Sequence, residues 1–151
     1  MTITITTASL ISEMRQKSHF EVQNIKESQL RDNVRAGLEK MEELGRDVCV
    51  ADAQLRTLLN RYLQTTLSES VSVGITVPET LSYALNFSER RAANKSAEIP
   101  QLMRDYLVNA ALSKYYATVS ATDLASSRGN QAAALGAEII RTIYTKTPPA
   151  L

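Results

Sequence analysis

The sequence contains one histidine, His19, and one cysteine, Cys49, as the residues best suited to nucleophilic or proton-transfer chemistry. Such chemistry requires the imidazole to lie within hydrogen-bond reach of the nucleophile. The separation of the two residues along the chain does not establish that contact. His19 falls in a helical pattern among polar neighbours, and Cys49 lies between Val48 and Val50, a setting typical of a small core residue. We therefore interpret both as structural.

The acidic residues are poorly spaced for sharing a metal ion or a proton. Glu42 and Glu43 are adjacent, so on a helix they point about 100° apart. Asp47 and Asp52 form the other acidic pair, and a single cysteine cannot complete a zinc site by itself. The sequence has no dinucleotide-binding glycine motif, phosphate-binding loop, H-E-x-x-H or C-x-x-C motif. These observations predict a non-enzymatic protein with no catalytic residues, no cofactor and no metal site.

One basic cluster, in the stretch "SERRAANK", could contact phosphate groups. It contains Arg90, Arg91 and Lys95, and the last two share a face if the stretch is helical. The alternatives are a solvated helix start and a salt-bridge patch between subunits. A small helical DNA-binding regulator that uses these three residues is the alternative function that this cluster allows.

The adjacent tyrosines Tyr115 and Tyr116 are candidates for an interaction surface. Tyr106 lies at helical spacing from Leu102 and is most simply a core residue with its hydroxyl at the edge. Neighbouring residues on a helix point in different directions, so burial in a core accounts for at most one of the adjacent pair. We expect either Tyr115 or Tyr116 to contact solvent or another subunit.

Length and composition predict one globular domain over residues 1–151. A chain of 151 residues buries roughly two-thirds of its unfolded surface on folding. Five Gly and four Pro are too few for an all-β protein with many tight turns. The net charge of +1 argues against a dedicated binder of duplex DNA, which needs many Lys and Arg. Residues 1–17 lack the features of a signal peptide, and no stretch approaches a membrane span of about 18 apolar residues.

Apolar residues recur at three- and four-residue steps along most of the chain, which predicts an all-α fold, a bundle of about five helices. Pro100 fits the first turn of the longest helix, and Gly45 is expected to break an earlier one. The predicted helices are a first one that begins after Thr7 or Ser9, then 27–50, 51–67, a short one over 78–87, 101–119, and a last one capped by Thr122 or Asp123.

Both ends of the chain are predicted to be extended arms, over residues 1–7 and 145–151. The opening "TITITT" alternates Thr with Ile3 and Ile5, the period of a strand. It is either a frayed end or a strand that adds to a sheet edge on a neighbouring subunit. At the other end, Pro148 and Pro149 fix φ near about −65° and offer no N–H, so the chain leaves the last helix extended.

Several stretches together resemble the small helical head–tail connector proteins, also called adaptor or neck proteins, of long-tailed bacteriophages and prophages. These stretches are "LLNRYL", "IPQLMRDYLVNAALSKYY", the final amphipathic helix and the exit "YTKTPPAL". The resemblance is one of size, helix order and tail across most of the chain. It rests on no catalytic or ligand-binding motif.

The resemblance implies a ring-forming structural protein of the virion neck, assembled in the cytoplasm of a bacterial host. Its partners would be further copies of itself, the portal protein and the tail or neck proteins. DNA would pass through the ring without sequence-specific binding, and no membrane is involved. The expected contact residues are Ile3 and Ile5 in the N-terminal arm, Tyr115 or Tyr116 on the body, and Lys146, Pro148, Pro149 and Leu151 in the C-terminal arm.

Overall fold

The computed structural model describes residues 2–25, 31–32, 34–63, 77–86 and 97–144. This part of the chain is mostly helical and contains one small two-stranded sheet. The helical prediction is therefore confirmed at this level. The elements, in chain order, are β1 (Thr2–Thr6), α1 (Thr7–Glu21), α2 (Met41–Leu58), β2 (Thr80–Ala84), α3 (Ile99–Thr118) and α4 (Thr122–Tyr144), with short 3-10 turns at Val22–Asn24 and Leu38–Lys40.

The two longest helices, α3 and α4, form an antiparallel hairpin at the centre of the fold. Pro100 occupies the first turn of α3, as the sequence predicted. The turn between the helices uses Ser120 in the left-handed region at φ 64°. The Ala121 N–H donates to the Tyr116 carbonyl at 2.8 Å and the Ser120 N–H donates to that of Ala117 at 3.3 Å. These are the two bonds of a Schellman cap, which ends α3 and reverses the chain.

Small residues in the first half of α4 allow the helices to approach closely. A Cβ added at Gly129 would lie 3.1 Å from Ser113 Oγ of α3. A Cβ added at Gly136 would lie 3.2 Å from Leu58 Cδ2 and 3.3 Å from Tyr106 Cε2. A side chain at either glycine would therefore displace its neighbours on the packed helices, so these two positions favour glycine.

The N-terminal strand pairs within its own chain, so the predicted N-terminal arm is wrong. β1 and β2 are antiparallel, with Ile3 opposite Tyr83 and Ile5 opposite Leu81. Ile3 and Ile5 are only 5% and 7% exposed and belong to the core. The alternation of Thr and Ile did indicate a strand, but its apolar face is buried against the helices of the same molecule.

The short helix predicted over 78–87 is also wrong, because Thr80–Ala84 is the partner strand. Leu81 and Tyr83 are buried, while Thr80 and Ser82 are exposed, which is the alternation of a half-buried strand. The residue before the strand also bonds the start of α1, since the Thr7 N–H donates to the Glu79 carbonyl at 2.9 Å.

A single helix, α2, crosses the boundary that the sequence placed between 27–50 and 51–67. Leu44, Val48, Ala51 and Leu55 form one buried stripe that runs through residue 50 without interruption. Gly45 does not break the helix. It is buried within α2, where an added Cβ would lie 2.9 Å from Val77 Cγ2.

A buried ionic cluster joins α2 to the sheet. Arg56 Nε donates to both carboxylate oxygens of Asp52 at 3.1 and 3.2 Å, and Tyr83 donates its hydroxyl proton to Asp52 Oδ1. Arg56 Nη2 donates to the Ser82 carbonyl at 2.8 Å, and the guanidinium lies 4.4 Å from the centre of the Tyr83 ring. Burial, followed by the charge of Asp52, raises the pKa of Tyr83, so its hydroxyl stays protonated as a donor.

We expect Tyr83→Phe to lower the free energy of unfolding by about 1–3 kcal/mol, because it leaves the buried Asp52 carboxylate without one donor. Urea denaturation followed by circular dichroism measures the change. Tyr106→Phe, at a half-buried tyrosine of α3, is the matched control and should cost less than about 1 kcal/mol. An equal loss in both variants would contradict the role assigned to the contact with Asp52.

Candidate functional site

The predicted contact residues on α3 are both inside the molecule. Tyr115 and Tyr116 are each 0% exposed, so the expectation that one of them contacts solvent or another subunit is wrong. Core burial accounts for both because α3 is covered on two sides. The Tyr115 hydroxyl donates to the Arg35 carbonyl at 3.0 Å, whereas the Tyr116 hydroxyl donates to Glu21 Oε1 of α1 at 3.3 Å.

The remaining predicted contact residues lie outside the described part of the chain. They are the basic cluster of Arg90, Arg91 and Lys95 and the C-terminal set of Lys146, Pro148, Pro149 and Leu151. His19 is exposed near the end of α1, and Cys49 is half-buried in α2. Burial, and secondarily the charge of Asp52, raises the pKa of Cys49, which keeps it a thiol.

Residues 34–40 form a segment that three long-range hydrogen bonds hold against the helices. The Ala36 N–H donates to the buried Ser18 Oγ of α1 at 2.9 Å. Lys40 Nζ donates to the Tyr115 hydroxyl at 2.6 Å, and the same hydroxyl bonds the Arg35 carbonyl. Within the segment, the side chains of Val34 and Ala36 are buried. These contacts fix the backbone on either side of Gly37 relative to α1.

A cavity of about 540 Å³ lies between α1 and this segment. It falls within the range of about 300–1,000 Å³ that small-molecule sites occupy. One wall is a single face of α1, and the other is the fixed segment. The lining residues are Ser12, Arg15, Gln16, His19 and Phe20 from α1, and Arg35, Ala36, Gly37 and Glu39 from the segment. We refer to it as the α1 pocket.

Cationic and hydrogen-bonding groups dominate the polar lining of the α1 pocket. Arg15 and Arg35 contribute guanidinium groups from different elements, and Glu39 contributes the one carboxylate of the lining. His19 packs edge-on against Phe20, with ring centroids 6.1 Å apart. Guanidinium groups recognise oxyanions through paired N–H donors. The arrangement is therefore suited to binding an anion.

A second arginine cluster, around Arg128, has a structural role. Arg128 of α4 donates from Nη2 to Glu21 Oε1 at 2.6 Å and from Nη1 to Asn109 Oδ1 at 2.7 Å. Asn109 Nδ2 in turn donates to the Asp105 carbonyl at 2.8 Å. Because these groups bond one another across α1, α3 and α4, they hold the helices together.

Sequence reasoning did not identify the α1 pocket. One half of it was accessible from the sequence, since Ser12, Arg15, Gln16 and His19 follow helical spacing and share a face of α1. The other half depends on Arg35, which reaches the pocket only because residues 34–40 fold back on α1.

The two members of the acidic pair that the sequence indicated have separate environments. Asp52 belongs to the ionic cluster with Arg56 and Tyr83. Asp47 is 8% exposed on α2, where burial raises its pKa to about 7. Lys114 opposes this shift and Glu43 adds to it.

Comparison with protein-family models, with curated proteins and with solved structures finds no match for this chain. Within the described residues, His, Cys, Asp and Glu form no group of three or more that could hold a metal ion. None of the helices in that part of the chain combines the length and apolar character needed to cross a membrane.

We expect the carboxyl group of Asp47 to make stability fall as pH rises. Its pKa of about 7 in the folded chain exceeds the ordinary value of 3.8, so the folded state binds more protons between these two values. The contribution of this group is therefore lost progressively from about pH 4 to about pH 7. Near pH 8, Asp47→Asn should have a free energy of unfolding about 1–2 kcal/mol higher than that of the parent. This difference should shrink near pH 5.

Urea denaturation at both pH values measures this effect. Glu42→Gln, at an exposed acidic residue of the same helix, is the matched control and should leave the pH dependence of the parent unchanged. If Asp47→Asn and the parent showed parallel pH profiles, the raised pKa would be ruled out.

Proposed function

We propose that this chain is a non-enzymatic structural protein of a tailed phage or prophage particle. It would form a ring in the neck of the virion, joining the portal to the tail around the DNA channel, after assembly in the bacterial cytoplasm. Two things support the proposal: the resemblance of the sequence to head–tail connector proteins, and the mostly helical fold, which agrees with that resemblance.

The main support for ring assembly is the exposure pattern of α4, which leaves its outer face free of contacts with the core. Of its 23 residues, only a narrow strip is buried, at Ala132, Gly136, Ile139, Thr142 and Ile143. The middle of the exposed side carries Asn130, Ala133, Ala134 and Ala137, which are small and uncharged, and Arg141 adds an exposed charge near the C-terminal end. Small side chains let the backbone of a second helix approach closely. This face therefore suits a side-to-side contact with a neighbouring copy.

Of the two ends of the chain, only the C-terminal end would contact a neighbouring subunit in the proposed ring. β1 is committed to its own sheet, so the ring would depend on helix faces and on the C-terminal arm of residues 145–151. In that arm, the two prolines favour an extended backbone that can lie across a neighbouring subunit. The net charge of +1 is compatible with a channel through which duplex DNA slides.

We expect the full chain to form a large oligomer of defined mass, and a chain lacking residues 145–151 to lose it. Multi-angle light scattering after size-exclusion chromatography measures both masses. A monomer in both cases would contradict ring formation through the arm. A dimer whose affinity for DNA falls steeply with salt would instead favour the small helical regulator.

A second variant tests the helix face separately from the arm. Ala133→Glu places a charge on the exposed side of α4 and should reduce the oligomer to smaller species, since a buried unpaired carboxylate opposes association. Ala117→Glu, at an exposed alanine of α3, is the matched control and should leave the mass unchanged. An unchanged oligomer in Ala133→Glu would show that the ring does not use this face.

A further inference from the structure

We propose that the α1 pocket binds a carboxylate attached to an apolar body. The two arginines would hold the carboxylate and Phe20 would cover the apolar part. This inference goes beyond the proposed function, because binding in the pocket is measured independently of the mass of the oligomer.

Arg15 provides the main argument. Its Nε atom is buried, yet it has no hydrogen-bond partner among the described residues. A buried donor on a charged group that stays unpaired costs the full desolvation penalty, about 1–3 kcal/mol or more. Because no partner holds this N–H and Arg15 lines the cavity, the side chain can rotate to present the N–H to an acceptor bound there, which would remove the penalty.

Arg35 supplies the second cation from the opposite wall. Its side chain is 41% exposed, and its Nη2 lies 3.6 Å from Asp32 Oδ1, a long surface ion pair of little strength. The backbone that carries Arg35 is held in place through its own carbonyl, which accepts the Tyr115 hydroxyl. The core thus fixes the backbone of Arg35, while the N–H donors of its guanidinium remain accessible to a ligand.

The charge balance of the lining favours a singly charged oxyanion. Arg15 and Arg35 bring two positive charges and Glu39 brings one negative charge, which leaves room for one compensating anion. A carboxylate meets that condition and matches the paired donors of a guanidinium. A phosphate group with a charge near −2 would be repelled more strongly than a carboxylate by Glu39 in the same lining.

Phe20 indicates that the ligand has an apolar part. Its side chain is 69% exposed, the largest value among the exposed large hydrophobic residues of the described chain. It lies at the same pocket as the arginines and packs against the edge of His19. A bound apolar or aromatic group would cover this ring and gain free energy by removing both surfaces from water.

The carboxylate could belong to a free organic acid or to an Asp or Glu side chain beside an apolar residue of a partner peptide. Saturation-transfer NMR, which tolerates large oligomers, tests both sources. The probes are 3-phenylpropionate and the capped dipeptide acetyl-Phe-Glu-amide. The matched uncharged compound 3-phenylpropanol and inorganic phosphate are the controls. The tighter of the two carboxylate probes identifies the source.

We expect saturable binding of a carboxylate probe at millimolar concentration or below, with 3-phenylpropanol at least about tenfold weaker and phosphate unable to displace the probe. Arg15→Met and Arg35→Met should each weaken binding about tenfold or more. Arg15→Lys, which keeps the charge but has no equivalent of the Nε–H, should weaken it as well. Arg46→Met, at an exposed arginine of α2, should have no effect.

Four results would overturn the proposal, three from comparing probes or variants and one from the absence of binding. The first three are equal binding of the charged and uncharged compounds, displacement by phosphate at equal concentration, and unchanged affinity in both Arg15→Met and Arg35→Met. Absence of binding by either carboxylate probe up to about 20 mM would overturn it too. Circular dichroism of each variant verifies that its helices are retained.

Discussion

The buried ion pair between Asp52 and Arg56 is the constraint on which the position of the sheet depends. Removing two charges from water costs several kcal/mol for each ion unless both find well-placed partners. Here the Asp52 carboxylate meets the guanidinium and the Tyr83 hydroxyl, and Arg56 also reaches the Ser82 carbonyl. Both strand partners belong to β2, so β2 can dock on α2 in one register only. β1 pairs with β2, and α1 begins at the residue after β1. The course of α1 therefore follows from the same contacts.

The α1 pocket is a consequence of how α1 and α3 are placed. Ser18 on α1 and Tyr115 on α3 present hydroxyl groups to the backbone at Ala36 and Arg35. Residues 34–40 are thereby held beside α1, and the side chains of Arg15 and Arg35 come to line one cavity. Arg128 is satisfied by Glu21 and Asn109 within the core, whereas the Nε–H of Arg15 has no acceptor in the described structure.

The proposed ring and the proposed pocket use different surfaces. α4 packs against α3 along a strip of small residues, and its other side, with Ala133 and Ala137, remains at the surface. The pocket lies between α1 and residues 34–40. Association with other copies would draw on the outer face of α4, which the core does not use. A pocket ligand would be recognised by Arg15, Arg35 and Phe20 alone.

The sequence by itself determined the helical class and the first turn of α3 at Pro100, because periodicity and the fixed φ of proline are local properties of the chain. It also placed the start of the last helix near Thr122, although Thr122 is the first residue of α4 and not its cap. It also indicated a strand at Ile3 and Ile5. Only the tertiary structure decided what that strand pairs with: Thr80–Ala84 is too short for its alternation to be distinguished from a helical turn, and its partner is distant in sequence. The burial of both Tyr115 and Tyr116, and the meeting of Arg15 with Arg35, were equally hidden. Each depends on contacts between residues that are distant in sequence, and local periodicity does not predict such contacts.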